Sequence, residues 1–395
     1  MTQITPFFIL CVTGLVAIFS STMSKSPVLP LFAKQLGTGE AYIGFIAAAS
    51  TVVGILTSLP AGVLSDLYGR RRVILASMVI FASAPFLYLL VQTPRQLVAV
   101  RAYHGLATAI LGPVALAAVA DMFSAQRGEN MAWYSSATLV GRFLAPLMGG
   151  FILSLTSNSY KSVYLACGLG GVLALLVASR LPTASLGRRG GGSGNLGGSW
   201  RQMRKGLHQV VMNRGILVIS MMEAAQRLAF GCVEVFLPLY ALLVGIEPWQ
   251  IGVLLGGQTL TTGLSGPFMG RLSDRIGRKP LIVAGLGLCA VAMVAMPLTG
   301  SFLLLLALSI SFGLGIAAVA SSTSALVSDL SQASAYGSAL GVLSTIMDVG
   351  HASGPMAAGL LVANFNYPTA FATLAVVLVI AAIIFWAIVH EPSRK

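Results

Sequence analysis

Apolar residues run along this chain in long blocks, and polar residues are confined to the short gaps between them. An α-helix needs about 20 residues to cross a hydrocarbon core about 30 Å thick, and these blocks have that length. The pattern predicts an all-α membrane protein with twelve transmembrane helices. The predicted spans cover residues 6–33, 41–64, 73–92, 96–122, 131–155, 161–180, 215–243, 248–271, 280–298, 302–326, 337–362 and 368–389.

Composition and charge support this interpretation and give it an orientation. Hydrophobic residues make up 56% of the chain and charged residues only 9%, which is typical of an integral membrane protein. Most of the 24 Lys and Arg residues lie in the loops on one side, whereas the opposite loops contain Lys34, Arg95 and Lys161. By the positive-inside rule, the basic loops and both termini face the cytoplasm. We therefore attribute the net charge of +13 to topology and contact with membrane lipid, and not to nucleic-acid binding.

A Gly- and Ser-rich segment divides the chain near its middle. The stretch GRRGGGSGNLGGS, residues 187–199, is typical of a flexible linker. The predicted organisation is an N-terminal six-helix bundle at 1–182, a basic cytoplasmic linker at 183–214 and a C-terminal six-helix bundle at 215–395. The short loops favour a bacterial cytoplasmic (inner) membrane as the location, and we expect a monomer.

The two halves are copies of each other. GVLSDLYGRRRV, which begins at Gly62, returns 208 residues later as GRLSDRIGRKPL, and LPLFAKQLG at Leu29 returns as LPLYALLVG at Leu237. In the fifth span the shift becomes 209, where GRFLAPLMGG from Gly141 corresponds to GHASGPMAAG from Gly350. Such duplication predicts two parallel bundles related by an axis along the membrane normal, with a binding site between them near the bilayer midplane.

These motifs resemble those of the major facilitator superfamily, and the resemblance covers nearly the whole chain except the linker. The loop motif between spans 2 and 3 is carried by Gly62, Asp66, Gly69, Arg70 and Arg71, and its second copy by Gly270, Asp274, Gly277, Arg278 and Lys279. RAYHGLATA resembles the family's span 4 motif, with His104 where Gln is commoner. The stretch that contains Gly141, Pro146, Gly149 and Gly150 is similar to the span 5 motif of the 12-helix drug:proton antiporters, with Ala145 replacing the usual first Gly of the Gly-Pro pair.

The charges of the repeated loop have a predicted conformational role. Asp66 can lie against a helix N-terminus of the opposite bundle, where unpaired amides favour an anion. Arg70, one helical turn further on, can reach Asp121 at the end of span 4. The corresponding positions in the second copy are Asp274, Arg278 and Asp329. The resemblance implies that this network latches the cytoplasmic side of the outward-open state; the alternative is that the charges only set topology and cap helices.

Ionisable residues inside the spans are the candidates for a substrate cavity and for proton coupling, because such residues are costly in a membrane unless they have a partner or face water. They are Lys25, Arg101, His104, Arg142, Glu223, Arg227, Glu234, Asp348 and His351. Helical spacing predicts a Glu223–Arg227 pair and places Asp348 and His351 on one face. Depth counting places Lys25, His104 and Glu234 about 12 Å from the outer ends, so they can form one cluster. The alternative for these residues is a structural role, as helix braces, structural ion pairs or polar packing.

The sequence therefore predicts a secondary transporter that works by alternating access. The resemblance favours proton-coupled export of a small amphipathic or organic-anion or zwitterionic compound, as in drug or metabolite efflux. Glu234 and Asp348 are the preferred proton-carrying carboxylates. The alternatives are a facilitator or importer of an organic anion or metabolite, a non-transporting receptor and, with less support, a metal-ion exporter. An enzyme is not expected, because neither a nucleophile with its base nor a metal-binding helix is recognisable, and no cofactor or metal site is expected.

Overall fold

The computed structural model describes residues 4–123, 126–182, 214–330 and 336–389, and within them it contains α-helices and no β-strand. The helices of the first half are α1 (Ile4–Met23), α2 (Val28–Gln35), α3 (Glu40–Tyr68), α4 (Arg70–Tyr88), α5 (Pro94–Met122), α6 (Arg127–Leu155) and α7 (Tyr160–Ser179). Those of the second half are α8 (Arg214–Leu243), α9 (Pro248–Ile276), α10 (Arg278–Ala295), α11 (Phe302–Leu330), α12 (Tyr336–Asn364) and α13 (Tyr367–Ile388), with a 3₁₀ turn at Met296–Leu298.

The helices match the predicted spans to within a few residues, and α1 and α2 together form the first span. Counting those two as one, ten helices of the described residues are long and apolar enough to cross a membrane. The remaining two, α9 and α12, have the required length but contain more glycine and polar side chains. Polar residues lower the hydropathy of a helix without preventing it from spanning when they face other helices.

The duplication is visible in the helix boundaries. The helices α3 and α9 begin at Glu40 and Pro248, and α5 and α11 begin at Pro94 and Phe302, so both pairs keep the shift of 208 residues. The helices α6 and α12 keep the shift of 209. The same pairs of helices also pack together in each half, because α1 packs on α6 as α8 packs on α12, and α4 packs on α7 as α10 packs on α13.

The first span departs from the prediction of one continuous helix. It is divided between Met23 and Val28, whereas its counterpart α8 runs unbroken through the equivalent residues. Pro27, which has no backbone N–H to donate, lies at the break. The equivalent position of α8 is Val235, which lies within a continuous helix.

The chain divides into two compact units, which are described separately. The first consists of Met1–Thr38 and Ala49–Ser199, and the second of Gly39–Ala48 and Trp200–Lys395. The N-terminal end of α3 thus belongs to the second unit, where a Cβ at Gly44 would collide with the Pro355 carbonyl group. The predicted linker lies outside the described residues, apart from Arg214 at the start of α8.

Glycines on α12 bring its backbone against that of α8. A Cβ at Gly350 would collide with the carbonyl group of Ala224, and one at Gly354 with that of Leu228. In the first unit, Gly141 of α6 meets the Leu15 carbonyl of α1 in the same way. Small residues at such an interface allow two membrane helices to pack at backbone distance. This close approach fixes the rotation of α8 and α12, and hence which of their side chains meet.

The Gly354→Ala substitution is expected to lower the thermal unfolding temperature of the purified protein, because overpacking typically costs about 1–3 kcal/mol. Gly287→Ala on α10 is the matched control, since a Cβ there meets nothing within 4 Å. Alanine also favours a helix over glycine by about 1 kcal/mol, so this control is expected to be neutral or stabilising. Equal unfolding temperatures for the two variants would contradict the backbone contact.

Candidate functional site: a charged row in the second unit

A carboxylate and an imidazole meet where α8 packs on α12. The Nε2 atom of His351 lies 3.0 Å from the Oε2 atom of Glu234, and both side chains are largely buried. The His351 ring also contacts the ring of Phe230, with 5.5 Å between the centroids. Gly231 lies directly beneath, because a Cβ there would contact the His351 carbonyl oxygen. The close packing of the two helices therefore holds the pair in hydrogen-bonding contact.

Three further charges extend this pair into a row. Asp348 is within electrostatic reach of His351 and of Arg227. Arg227 in turn interacts electrostatically with Glu223, which lies beside Thr323 of α11. The row of Glu223, Arg227, Asp348, His351 and Glu234 therefore alternates acidic and basic side chains. From Glu223 to Glu234 it spans about 16 Å of α8.

Exposure changes along the charged row. Glu223 is buried, Arg227, His351 and Glu234 are intermediate, and Asp348 is exposed. Alternating signs offset part of the cost of placing charges away from water. Because carboxylates and imidazoles exchange protons readily, such a row can accept a proton at its exposed member and hold it at the Glu234–His351 contact. Among the described residues, no group of three His, Cys, Asp or Glu side chains could hold a metal ion.

The structure groups Glu234 with His351, which differs from the grouping predicted from depth along the spans. Helical spacing predicts that His351 shares a face with Asp348, and depth along the spans predicts a separate cluster of Glu234 with Lys25 and His104. The contact between Glu234 and His351 was missed, although the glycine spacing on α12 indicated which face of that helix turns to α8. The grouping of Lys25 with Glu234 stays a prediction.

The other predicted cavity residues lie in the first unit. His104 is buried against Phe81 and Tyr88, with ring centroids 5.8 and 6.0 Å away. Arg101 is also buried and donates a hydrogen bond to the Ser50 Oγ atom at 2.6 Å. Lys25 lies at the break between α1 and α2, and Arg142 is exposed on α6.

The repeated loop forms ion pairs within each unit. Arg70 lies 2.5 Å from Asp66 and 3.1 Å from Asp121, which is the predicted reach from α4 to α5. In the second copy, Arg278 lies 3.8 Å from Asp274. The side chain of Asp329 is outside the part of the structure that is described. The latch role of these charges stays a prediction.

Backbone conformation explains two glycines of the loop motif. Gly69 and Gly277 have φ angles of 90° and 105°, at the corners between α3 and α4 and between α9 and α10. Side chains other than glycine are disfavoured there. At Gly62, by contrast, an added Cβ meets nothing within 4 Å. Packing within the first unit therefore does not explain why this position is a glycine.

The span 5 motif forms the face of α6 that packs on α1. Gly141 meets the Leu15 carbonyl oxygen, and Gly149 lies beside Met23 and Val28 at the break in the first span. Pro146 and Gly150 are buried on the same helix. The motif therefore supports the broken span by close packing.

The family model of the Major Facilitator Superfamily matches residues 10–247 and 219–395. The chain belongs to the major facilitator superfamily. An uncharacterized transporter of that superfamily, MJ1560 of Methanocaldococcus jannaschii, is 24% identical over 343 residues, which cover 85% of this chain and 86% of the relative. The quinolone resistance protein NorA of Staphylococcus aureus is 26% identical over 153 residues, or 38% of this chain and 39% of NorA.

The fold agrees with this membership. The solved structure of a D-xylose–proton symporter matches with a TM-score of 0.79 and 17% identity, and the match covers 98% of each chain. The prediction of an all-α major facilitator fold is thus confirmed. The protein is an integral membrane transporter from a family whose members are transporters and not enzymes.

A double-mutant cycle tests the Glu234–His351 contact. Glu234→Gln and His351→Gln are expected to be non-additive in unfolding free energy, with a coupling of about 0.5–3 kcal/mol, because residues in contact share an interaction. Glu247→Gln combined with His351→Gln is the control, since Glu247 lies in the loop after α8. Additive effects in both cycles would show that the pair does not interact.

Proposed function

We propose that this transporter couples the export of a small amphipathic, anionic or zwitterionic compound to the inward movement of protons, with the Glu234–His351 pair as the coupling site. The observation that carries the proposal is the contact between this carboxylate and imidazole, 3.0 Å apart within a charged row. The partial similarity to NorA, whose name describes quinolone resistance, supports efflux of a drug-like compound.

Alternating access supplies the coupling step. The Glu234 carboxylate favours a proton when the surrounding cavity is dry, because burial disfavours its charged form, and releases the proton when water enters. His351 stabilises the charged carboxylate in the hydrated state. Asp348, which is exposed at the neighbouring turn, provides the route by which protons reach the pair. Each turn of the cycle thus exchanges a proton for substrate.

The balance of basic and acidic side chains within the spans favours an anionic or zwitterionic substrate. Lys25, Arg101, Arg142 and Arg227 are the basic side chains within the spans, and Glu223, Glu234 and Asp348 are the acidic ones. In the second unit Arg227 lies near both Glu223 and Asp348, so its charge is largely compensated. The count of four basic against three acidic side chains favours a substrate that carries an anionic group.

Import by symport is the second candidate, and the match to a D-xylose–proton symporter favours it. Import and export use the same fold, so direction depends on the site and not on the architecture. A facilitator without proton coupling would use that fold as well. Transport direction under an imposed pH gradient separates the three.

Flux into inverted proteoliposomes under a pH gradient is the deciding experiment, with labelled anionic, zwitterionic and cationic compounds as probes. Glu234→Gln is expected to reduce gradient-driven flux to the level of empty liposomes while substrate binding persists, because the amide cannot carry a proton. Asp348→Asn is expected to slow the same flux. The control Glu247→Gln, in a loop, is expected to transport normally. Downhill flux that ignores pH and survives both substitutions would identify a facilitator.

We also propose that both termini and the linker face the cytoplasm of a bacterial cell, with the monomer in the inner membrane as the transporting form. In intact cells, a Cys placed by Ser193→Cys is expected to resist a membrane-impermeant maleimide, because the basic linker is cytoplasmic. A Cys placed by Gly300→Cys, in the loop between α10 and α11, is expected to react. The opposite labelling pattern would invert the proposed topology.

A further inference from the structure

Four buried polar atoms without a hydrogen-bond partner among the described residues gather in the first unit. They are the hydroxyl oxygen of Tyr164, the Nε atom of Arg101 and both ring nitrogens of His104. The Tyr88 hydroxyl lies beside them and interacts with Arg101, and all four side chains are between 1% and 3% exposed. Buried polar atoms in folded proteins nearly always have a hydrogen-bond partner, so a concentration of four indicates something that the protein alone does not provide.

The four side chains form one cluster between α4, α5 and α7. The Tyr88 and Tyr164 rings are stacked, with 4.4 Å between the centroids and 4° between the planes. The His104 ring packs edge-on against Tyr88. Arg101 is within electrostatic reach of all three and anchors the cluster to α3 through Ser50.

The charge of Arg101 has no acidic counterpart in this unit. The unit contains three acidic residues, Asp66, Asp121 and Glu129. Asp66 and Asp121 both contact Arg70, and Asp121 lies about 30 Å from Arg101 along α5. Glu129 is exposed in the first turn of α6, at the same end of the bundle. An isolated buried charge is strongly unfavourable, so a compensating negative charge is needed near Arg101.

The second half of the chain shows that the fold does not require a charge, an imidazole or a phenol at these positions. Under the shift of 208, Arg101 corresponds to Ser309, His104 to Phe312 and Tyr88 to Met296. Between α7 and α13 the shift is 207, and there Tyr164 corresponds to Phe371. All four counterparts are fully buried. Because the same helix packing is built there without a charge, the polar cluster of the first half has a purpose other than packing.

We propose that this cluster binds a small monovalent inorganic anion, of which chloride is the obvious example, inside the N-terminal bundle. Arg101 supplies the positive charge, and the two tyrosine hydroxyls and a His104 N–H donate hydrogen bonds to the ion. Every one of these groups is able to donate, which is what an anion requires. Water molecules would satisfy the hydrogen bonds but would leave the guanidinium charge without compensation. The site is separate from the Glu234–His351 pair and does not depend on the proposed transport reaction.

Chloride-dependent thermal stability of the purified, full-length transporter tests the site. Unfolding temperature is measured in sodium chloride and in sodium gluconate at constant ionic strength. A bound ion stabilises the folded state, so chloride is expected to raise the unfolding temperature in a saturable way. Tyr164→Phe keeps the ring and removes one donor, and it is expected to raise the half-saturating chloride concentration about tenfold.

Tyr240→Phe is the matched control, because the Tyr240 hydroxyl donates to the Thr299 carbonyl oxygen in the second unit. It is expected to change stability equally in both salts. In crystals grown with bromide, an anomalous peak is expected within hydrogen-bonding distance of Arg101 and Tyr164. Equal wild-type stability in chloride and gluconate would overturn the proposal, as would a chloride effect that Tyr88→Phe and Tyr164→Phe both leave unchanged.

Discussion

The absence of water from the bilayer core is the constraint on which the rest of this structure depends. Every backbone group in that region must be satisfied within its own helix, and every ionisable side chain needs a partner or a hydrated cavity. The described helices meet the first requirement through their own hydrogen bonds, which internal prolines interrupt locally. At the break between Met23 and Val28, the N–H groups of Ser24, Lys25 and Ser26 donate to carbonyl groups of the preceding turn. The charged row between α8 and α12 meets the second by alternating acids and bases.

Gene duplication has given the two halves a common framework and different chemistry. The corner glycines Gly69 and Gly277 and the ion pairs of Arg70 and Arg278 are retained in both copies. The buried positions diverge, because the first half places Arg101 and its aromatic neighbours where the second half has apolar side chains and a serine. The second half instead places Glu234 where the first has Ser26, beside the break in its helix. Each half thus carries its own set of buried ionisable groups.

Much of the fold was predictable from sequence, because spans such as α7 are apolar blocks with sharp ends and the motifs repeat at a constant shift. The Arg70–Asp121 contact was predictable too, since it joins the ends of two neighbouring helices. The Glu234–His351 contact was not, because depth along a helix does not determine its rotation about its axis. That rotation depends on Gly350 and Gly354 meeting the backbone of α8, a contact between distant parts of the chain. Hydropathy alone does not reveal the break at Pro27, because it does not register a backbone N–H that is missing.

The backbone contact between α8 and α12 also limits the ways in which the proposed coupling site can change. Two helices that touch without intervening side chains cannot slide past each other without a collision of carbonyl groups. In the proposed mechanism, the separation of Glu234 and His351 therefore stays nearly constant. The proton affinity of the pair then changes as water enters and leaves the surrounding cavity.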